Sequence, residues 1–217
     1  MNIKHIVWDW NGTLLDDLWL SIKAINIVLK RHNLPQVNDK KYLNLFIFPV
    51  IEYYKKLGFD FEINSFEKVG TEFIDEYTKL QFQPKLHHGA KKLLKEVLSR
   101  GITQSLLSAA TNEMLESLMN YHNLHKYFTK IKGQNNHYAY GKTEAGKALM
   151  KDLKFNPDEV LFVGDTIHDS EVANEIGVHC ALISHGHTHH ERLKKLNGTV
   201  FHSMPEFNAW LNQNIYL

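Results

Sequence analysis

Acidic side chains stand where this 217-residue chain passes from predicted strand to turn. Asp9 directly follows the apolar run Ile6-Val7-Trp8, and the turn-forming pair Asn11-Gly12 comes two residues later. This pattern predicts a buried strand that ends on Asp9. Side chains at the carboxyl ends of strands in an open α/β sheet face the crevice where such folds bind ligands, so Asp9 is placed to do chemistry. For this stretch alone, a simple turn cap is an equal alternative.

Three later segments carry further candidate side chains. Residues 103–107 are predicted to form a strand that runs into the hydroxyl of Ser108, and Lys142 stands at a predicted helix start. The apolar strand 160–163 is followed by Asp165 and, four residues on, by Asp169. Each residue taken alone is more simply a turn, a solvated helix end or a cap. The ordered series of four segments is a stronger signal than any one of them.

The elements that must position these residues alternate between strand and helix. Helices are predicted over residues 90–100, 112–121, 143–153, 169–176 and 204–210. Strands are predicted over residues 103–107, near 131, and over 160–163, 179–183 and 199–201. Such alternation predicts right-handed crossovers and a doubly wound parallel sheet covered on both faces, which is the α/β class.

The segment between residues 16 and 83 differs, because no clear strand interrupts it. Apolar spacing predicts one helix from Leu18 and another over residues 49–57, with Gly58 as its stop. A third helix is predicted to begin at an Asn64-x-x-Glu67 capping box. The sequence therefore predicts a helical insert directly after the first strand.

Composition limits the classes of partner. Lys and Arg total 25 against 24 Asp and Glu, so no excess of charge points to nucleic acid or to an anionic membrane, and a small molecule is the expected partner. No segment has the ~20 apolar residues of a membrane span. Cys180 is the single cysteine, which excludes an intrachain disulfide and favours a cytoplasmic location. Oligomeric state is not indicated.

The four segments, in their order and spacing, resemble the four motifs of the haloacid dehalogenase-like (HAD) hydrolases over nearly the whole chain. The insert between the first and second motifs is similar to that of the phosphoglycolate phosphatase-like branch. The resemblance implies a Rossmann-like core domain over residues 1–15 and 84–217, with a helical cap domain over residues 16–83. It also implies a phosphatase that uses Mg²⁺ and acts on a small phosphorylated metabolite.

The resemblance further implies roles for single residues. Asp9 would be the nucleophile and would form an aspartyl-phosphate that water then hydrolyses. The residues that would contact the phosphoryl group are Gly12, Thr13, Ser108, Ala109 and Lys142. The residues that would hold Mg²⁺, which prefers hard oxygen ligands, are Asp9, Asn11 through its backbone carbonyl, Asp165 and Asp169.

Asn11 departs from the family pattern, which has a second Asp there as general acid and base. An amide does not exchange a proton at neutral pH, so a contribution of about 10²- to 10⁴-fold is weakened or lost. Three explanations are open. The substrate has a good leaving group, such as an acyl phosphate; another acid, such as Asp16, Asp17 or a cap residue, substitutes; or the protein binds a phosphorylated ligand with little turnover.

A C–P or C–halogen hydrolase is a further alternative. Phosphonate-cleaving relatives also lack the second Asp, but they depend on a cap lysine, for which the candidates are Lys23, Lys30, Lys55 and Lys56.

Two other motifs compete with this assignment. Gly141-Lys142-Thr143 matches the end of a P-loop, but Asn136 stands where that motif needs its first glycine. The run from His185 to His190 suggests a zinc site, yet it lacks the Asp of the hydrolase signature it resembles, so we expect a solvated, His-rich loop. His87, His88 and His168 are expected to serve structure or substrate contact, and Trp8 and Trp10 to form core and crevice wall.

Overall fold

A computed structural model describes residues 1–135, 141–196 and 198–215 of the chain. Asn136, on which the P-loop comparison depends, lies outside these residues. The strands are β1 (His5–Trp8), β2 (Leu15–Asp16), β3 (Lys85–Leu86), β4 (Thr103–Thr111), β5 (Lys130–Gln134), β6 (Val160–Gly164), β7 (His179–Ile183) and β8 (Thr199–Phe201). The helices are α1 (Leu18–Arg31), α2 (Asp39–Leu45), α3 (Val50–Leu57), α4 (Phe66–Thr78), α5 (Ala90–Ser99), α6 (Asn112–His122), α7 (Lys142–Leu153), α8 (Ile167–Ile176), α9 (His190–Leu193) and α10 (Met204–Asn214).

Six strands form one sheet in the order β5-β4-β1-β6-β7-β8. The central strand, β1, pairs in parallel with β4 on one side and with β6 on the other. Every residue of β1 and β6 is buried, which is why these strands lack the alternation of a half-exposed strand. The predicted parallel α/β fold is confirmed.

Helices cover both faces of this sheet. Ile6 and Trp8 pack into an apolar cluster to which α5, α6 and α10 contribute. Val7 points to the opposite face, because successive side chains of a strand alternate, and packs into a second cluster with α7 and α8. β1 is therefore held on two faces and two edges, so the residue that follows it has a well-fixed position.

Four helices, α1 to α4, lie between β2 and β3 and have an apolar cluster of their own. The two ends of this helical insert are joined where Leu15 pairs with Leu86 and Asp16 with Lys85 in a short antiparallel ladder. The predicted helical insert is thus present. The division into domains at residues 15/16 and 83/84 stays a prediction.

Several local predictions need correction. The helix α2 and the short strands β2 and β3 have no counterpart in the sequence prediction, because two to seven residues are too few for a clear hydrophobic period. Helix α4 does not begin at an Asn64 capping box: the side chain of Ser65 caps it by accepting a hydrogen bond from the amide of Lys68. Strand β4 continues beyond Leu107, so Ser108 lies within a strand rather than at its end.

Candidate active site

Three buried carboxylates meet at the carboxyl end of the sheet. Asp9 follows β1 and Asp165 follows β6, and the amide of Asp9 donates to the carbonyl of Val163 at 2.9 Å, which keeps the two strand ends level. Asp169 comes from the first turn of α8, whose N-terminus is capped by Thr166. One carboxylate oxygen from each Asp lies within 4.8 Å of the other two. A divalent cation is the kind of ligand that such a group of oxygens can hold.

Lys142 lies against two of these carboxylates. Its Nζ is 2.5 Å from Oδ1 of Asp9 and 2.5 Å from Oδ1 of Asp169. Gly141, with φ of 94°, caps the start of α7 in a left-handed conformation that suits glycine and thereby directs Lys142 inward. Burial opposes the charge on Lys142, but both carboxylates raise its pKa above its ordinary value, so it is a cation.

The charge of the three carboxylates is only partly balanced. Burial raises the pKa of Asp9 to about 8. The positive charge of Lys142 lowers this pKa, whereas the negative charges of Asp169 and Asp165 raise it further. Burial also raises the pKa of Asp165 to about 6. The pKa of Asp169 is lowered in spite of burial, because Lys142 and hydrogen bonds from Thr166 stabilise its anion. Asp9 and Asp165 therefore stand to gain most from a bound cation.

Gly12 and Thr13 tie the loop after β1 to these acids. The hydroxyl of Thr13 donates to Oδ1 of Asp165 at 2.6 Å and to Oδ2 of Asp9 at 3.3 Å. Gly12 has φ of +75°, and a Cβ there would collide with the Asp165 carboxylate and the ring of His187. The Gly12 amide and the Thr13 hydroxyl both have protein partners, since the Gly12 amide donates to Oδ1 of Asp17. Their assignment to the phosphoryl group stays a prediction.

Ser108 and Ala109 line the same cavity as Asp9 and Lys142. The Ser108 side chain is buried, and its oxygen accepts a hydrogen bond from the amide of Ala110 at 3.1 Å. A hydroxyl accepts and donates at the same time, so the hydrogen of Ser108 can still be given to an oxygen of a ligand. The assignment of Ser108 and Ala109 to the phosphoryl group stays a prediction.

Asn11 is engaged on the side of the insert. Its Nδ2 donates to Oδ2 of Asp17 at 2.8 Å and to the hydroxyl of Tyr77 at 2.9 Å. The Tyr77 hydroxyl itself donates to the same Asp17 oxygen at 2.8 Å. Both hydrogens of the Asn11 amide therefore have partners, and neither is an exchangeable acid at neutral pH.

His187 is the residue that sequence reasoning missed. It is buried and lines the cavity, with Nε2 at 3.2 Å from Oδ1 of Asp17 and Nδ1 at 3.0 Å from the hydroxyl of Tyr42. Burial opposes its protonation, but the neighbouring carboxylates, Asp17 first, raise its pKa to about 9. Its backbone amide also donates to Oδ2 of Asp165 at 2.6 Å. The site thus has a second buried cation–carboxylate pair, beside that of Lys142.

The expectation of a solvated His-rich loop is therefore wrong. Besides His187, His185 packs on the ring of His87 with centroids 3.6 Å apart, and its Nε2 lies 3.1 Å from the carbonyl of Thr13. No local sequence pattern signals this burial, because residues 184–188 form turns and bends in which side chains do not alternate. Throughout the described parts of the chain, no cluster of three potential ligand residues other than Asp9, Asp165 and Asp169 is close enough to hold a metal.

The remaining side chains expected near the site have structural contacts. His168 stacks on Phe48 with ring centroids 4.7 Å apart. Trp8 and Trp10 are fully buried in the core cluster. Cys180 is half-buried, and burial raises the pKa of its thiol to about 12.

A cavity of about 160 Å³ lies between the carboxylates and the insert. Asp9, Ser108, Lys142 and Asp169 form its floor, and aromatic side chains of α2 to α4 and of the connection between α2 and α3 form most of its roof.

Comparison with protein families identifies this arrangement. The profile of the haloacid dehalogenase-like hydrolases matches residues 6–183, which include all of β1 but its first residue, the whole insert and the acids after β6. The chain therefore belongs to the haloacid dehalogenase-like hydrolase family. The family expected from the sequence is confirmed, and with it the expectation that the chain is an enzyme of the hydrolase class.

Individual relatives are distant but cover most of the chain. An N-acetylmuramic acid 6-phosphate phosphatase from Pseudomonas putida is 24% identical over 195 residues, which are 88% of this chain and 87% of the relative. A phosphoglycolate phosphatase from Synechococcus elongatus is 22% identical over 186 residues, 85% of each chain. The crystal structure of a predicted phosphatase from Clostridium acetobutylicum has a TM-score of 0.80 at 20% identity and covers 98% of this chain and 100% of that one. This last likeness establishes the fold.

No helix among the described residues is long and apolar enough to cross a bilayer.

Proposed function

We propose that this protein is an Mg²⁺-dependent phosphatase that acts on a small phosphorylated metabolite. The observation that carries the proposal is the meeting of Asp9, Lys142, Asp165 and Asp169 under one cavity at the carboxyl end of the sheet. Family membership and the phosphatase names of the relatives support it. Phosphoryl transfer depends on positioning and on charge neutralisation, and this arrangement is suited to both.

Asp9 is the proposed nucleophile. Its carboxylate attacks phosphorus, the bond to the leaving-group oxygen breaks, and an aspartyl-phosphate results, which water hydrolyses to phosphate and free Asp9. Lys142 holds Asp9 in place at 2.5 Å and keeps a positive charge next to the transferring group. The Ser108 hydroxyl and the Ala109 amide are the proposed donors to the phosphoryl oxygens.

Mg²⁺ fits the donor set of the floor. Oxygen atoms of Asp9, Asp165 and Asp169 lie within 4.8 Å of one another, and burial together with mutual repulsion leaves the first two with raised pKa values. Their carboxylates, with the backbone carbonyl of Asn11, are the proposed ligands. The ion would neutralise negative charge on the carboxylates and on the transferring phosphoryl group.

Phosphate release from a panel of phosphate monoesters and acyl phosphates tests the activity. We expect release that needs Mg²⁺ and is lost in Asp9→Asn, which keeps the shape of the side chain but is a poor nucleophile. Asp152→Asn is the matched control, since Asp152 is exposed on α7 and only 3.6 Å from Lys132 in a surface ion pair. Release from no member of the panel, or equal activity of Asp9→Asn and the control, would contradict the proposal.

Binding of the metal is tested without turnover. Mg²⁺ should raise the melting temperature of the wild-type protein, because a ligand that binds only the folded state stabilises it. Asp165→Asn should lose that rise and should be no less stable than wild type in EDTA, since the substitution removes a buried negative charge. The same rise in both proteins would exclude this site.

Asn11 supports a second candidate function, in which the protein binds a phosphorylated ligand and turns it over slowly. Both hydrogens of its amide are held by Asp17 and Tyr77, so position 11 supplies no proton to a leaving group. Strong stabilisation by Mg²⁺ with a phosphate mimic, but no release from the panel, would favour this function.

The C–P alternative has less support. Its cap lysine would have to reach the cavity, but Lys23, Lys30, Lys55 and Lys56 are absent from the residues that line it in the fully described insert.

A further inference from the structure

The roof of the cavity is aromatic. The side chains that the insert contributes include Phe46, Phe48, Tyr53, Phe66, Phe73 and Tyr77. The last three lie on one stripe of α4, because positions 66, 73 and 77 share a helix face. An apolar cavity of about 150 Å³ is known to accept a benzene ring. The 160 Å³ here spans floor and roof together, so beside a phosphoryl group on the floor the roof side has room for a group no larger than a single ring.

The roof carries no positive charge. Lys142 and His187 are the cationic residues among the described residues that line the cavity, and both already have carboxylate partners: Asp9 and Asp169 for Lys142, and Asp17 for His187. Every residue of the insert is described, and none of its lysines or arginines lines the cavity. A carboxylate on the far side of a substrate would therefore be buried without a counter-ion, which is strongly unfavourable.

The floor supplies no acid at position 11. Asn11 donates both amide hydrogens to Asp17 and Tyr77 and cannot protonate a leaving oxygen. This matters little for a phenol, whose pKa of about 10 makes phenolate a competent leaving group. An alkoxide is about as basic as hydroxide, whose conjugate acid has a pKa of about 15.7, and needs a proton as it departs.

From these three features we infer that the substrate is a phosphate monoester of a phenol or similar aromatic alcohol, with no second acidic group. The inference rests on the proposed phosphatase function. The carboxylate of Asp9 forms a bond to phosphorus as the bond from phosphorus to the aryl oxygen breaks, and the electron pair leaves with the phenolate. Water then hydrolyses the aspartyl-phosphate to Asp9 and phosphate, and the proton released in that step matches the one that the phenolate takes up.

The substrate class is tested by kcat/KM on four compounds with Mg²⁺ present. Phenyl phosphate should exceed 2-phosphoglycolate by at least about 100-fold, which is the low end of what a general acid contributes. It should exceed 4-carboxyphenyl phosphate by at least about tenfold, because that ring carries a charge into the roof. It should also exceed acetyl phosphate, which has a good leaving group but no ring. The inference is overturned if acetyl phosphate or 2-phosphoglycolate is the better substrate.

Two variants distinguish binding of the ring by the roof from the reactivity of the leaving group. Phe73→Ala should raise KM for phenyl phosphate by about tenfold, or 1.4 kcal/mol, with little effect on acetyl phosphate. Phe61→Ala is the matched control, since Phe61 packs on Phe59 and Phe66 in the insert but does not line the cavity. If Phe73→Ala does not fold, Phe73→Leu, which keeps an apolar side chain, should show the same selective effect more weakly. An equal loss on both substrates would overturn the role of the roof.

Failure of the inference can be told apart from failure of the proposed function. Turnover of acetyl phosphate that is lost in Asp9→Asn, without preference for the aryl ester, overturns the substrate class and leaves the phosphatase intact. Turnover of none of the four compounds counts against both.

Discussion

The floor and the roof of the cavity differ in the kind of side chain that they bury. In the floor, the buried carboxyl groups of Asp9 and Asp169 share one buried cation, Lys142, at hydrogen-bond distance. In the roof, the side chains of α4 that face the cavity are aromatic or aliphatic, and the polar side chains that the insert adds to the lining are tyrosines, Ser21 and, paired with His187, Asp17. The floor is built for a charged group and the roof for an uncharged one.

This difference assigns phosphoryl transfer to the floor and the choice of leaving group to the roof. The floor residues stand on strands and helix starts of the core, which is packed on both faces of the sheet, so their geometry tolerates little change. The roof side chains belong to helices that pack in a separate apolar cluster. A change of roof can therefore alter which leaving group fits and leave the phosphoryl site as it is.

The largest effect is expected from the removal of Lys142, the cation of the floor. Lys142→Met should lower kcat/KM by at least about 10³-fold on every substrate, since it removes electrostatic stabilisation and leaves Asp9 and Asp169 unpaired. Lys147→Met is the matched control: Lys147 lies on the same helix, half exposed, in a surface pair 2.9 Å from Glu144. Steady-state kinetics on aryl and acyl phosphates measure both. A loss confined to aryl phosphates would show that the floor also selects the leaving group.

The sequence predicts the floor well because its residues are tied to element boundaries. Asp9, Lys142 and Asp165 each stand where an apolar run or a helix begins or ends, and parallel strands bring their carboxyl ends to one edge. Ser108 is a partial exception. Strand β4 continues past it, yet Ser108 still lines the cavity, because the strand shifts register against β5 between Leu107 and Thr111.

The roof cannot be predicted in the same way. Which aromatic side chains of the insert face the cavity depends on how α1 to α4 pack: Phe66 and Phe61 contact each other in the same apolar cluster, yet only Phe66 lines the cavity. His187 is hidden for a similar reason. Its burial depends on Asp17 and Tyr42, which lie 170 and 145 positions away in the chain, and no local pattern encodes such contacts.

His187 lies between the floor and the roof, and its ion pair with Asp17 makes the stability of the fold depend on pH. The pKa of His187 is about 9 in the folded protein, above its ordinary value of 6.5. Its contribution is therefore fully present below pH 6.5 and is lost as pH rises to about 9. The substitution His187→Gln should lower the free energy of unfolding by about 2 to 3 kcal/mol at pH 6 and by much less at pH 9.5.

Urea unfolding in EDTA at the two pH values measures this difference. Asp17→Asn is the companion variant, since it removes the carboxylate at 3.2 Å from Nε2 and should abolish the pH-dependent part of the effect. Asp9 and Asp165 also have raised pKa values, so only the difference between wild type and variant reports on His187. A difference that is constant with pH would mean that this pair is not ionised.

An acid restored at position 11 should weaken the preference of the enzyme for aryl over alkyl phosphates. In Asn11→Asp the new carboxyl group lies beside the carboxylate of Asp17, which favours its protonated form. We expect kcat/KM for alkyl phosphates to rise by about 10- to 100-fold, and for phenyl phosphate by less than about threefold, because only the alkoxide needs the proton. Asn11→Ser, which cannot act as an acid, is the control. An equal rise on both substrates would show that the missing proton does not determine the substrate class.

The smallest expected effect lies in the roof, at Tyr53. Its buried hydroxyl has no hydrogen-bond partner within the described part of the chain, whereas the hydroxyl of its neighbour Tyr42 contacts Nδ1 of His187 at 3.0 Å. Tyr53→Phe should therefore change the free energy of unfolding by less than about 0.5 kcal/mol or raise it, while Tyr42→Phe should lower it by about 1 to 2 kcal/mol. Urea unfolding of the two variants measures both. A loss at Tyr53 equal to that at Tyr42 would mean that the roof's hydroxyl is already satisfied in the free protein, and a polar group on the substrate's ring would then gain nothing from it.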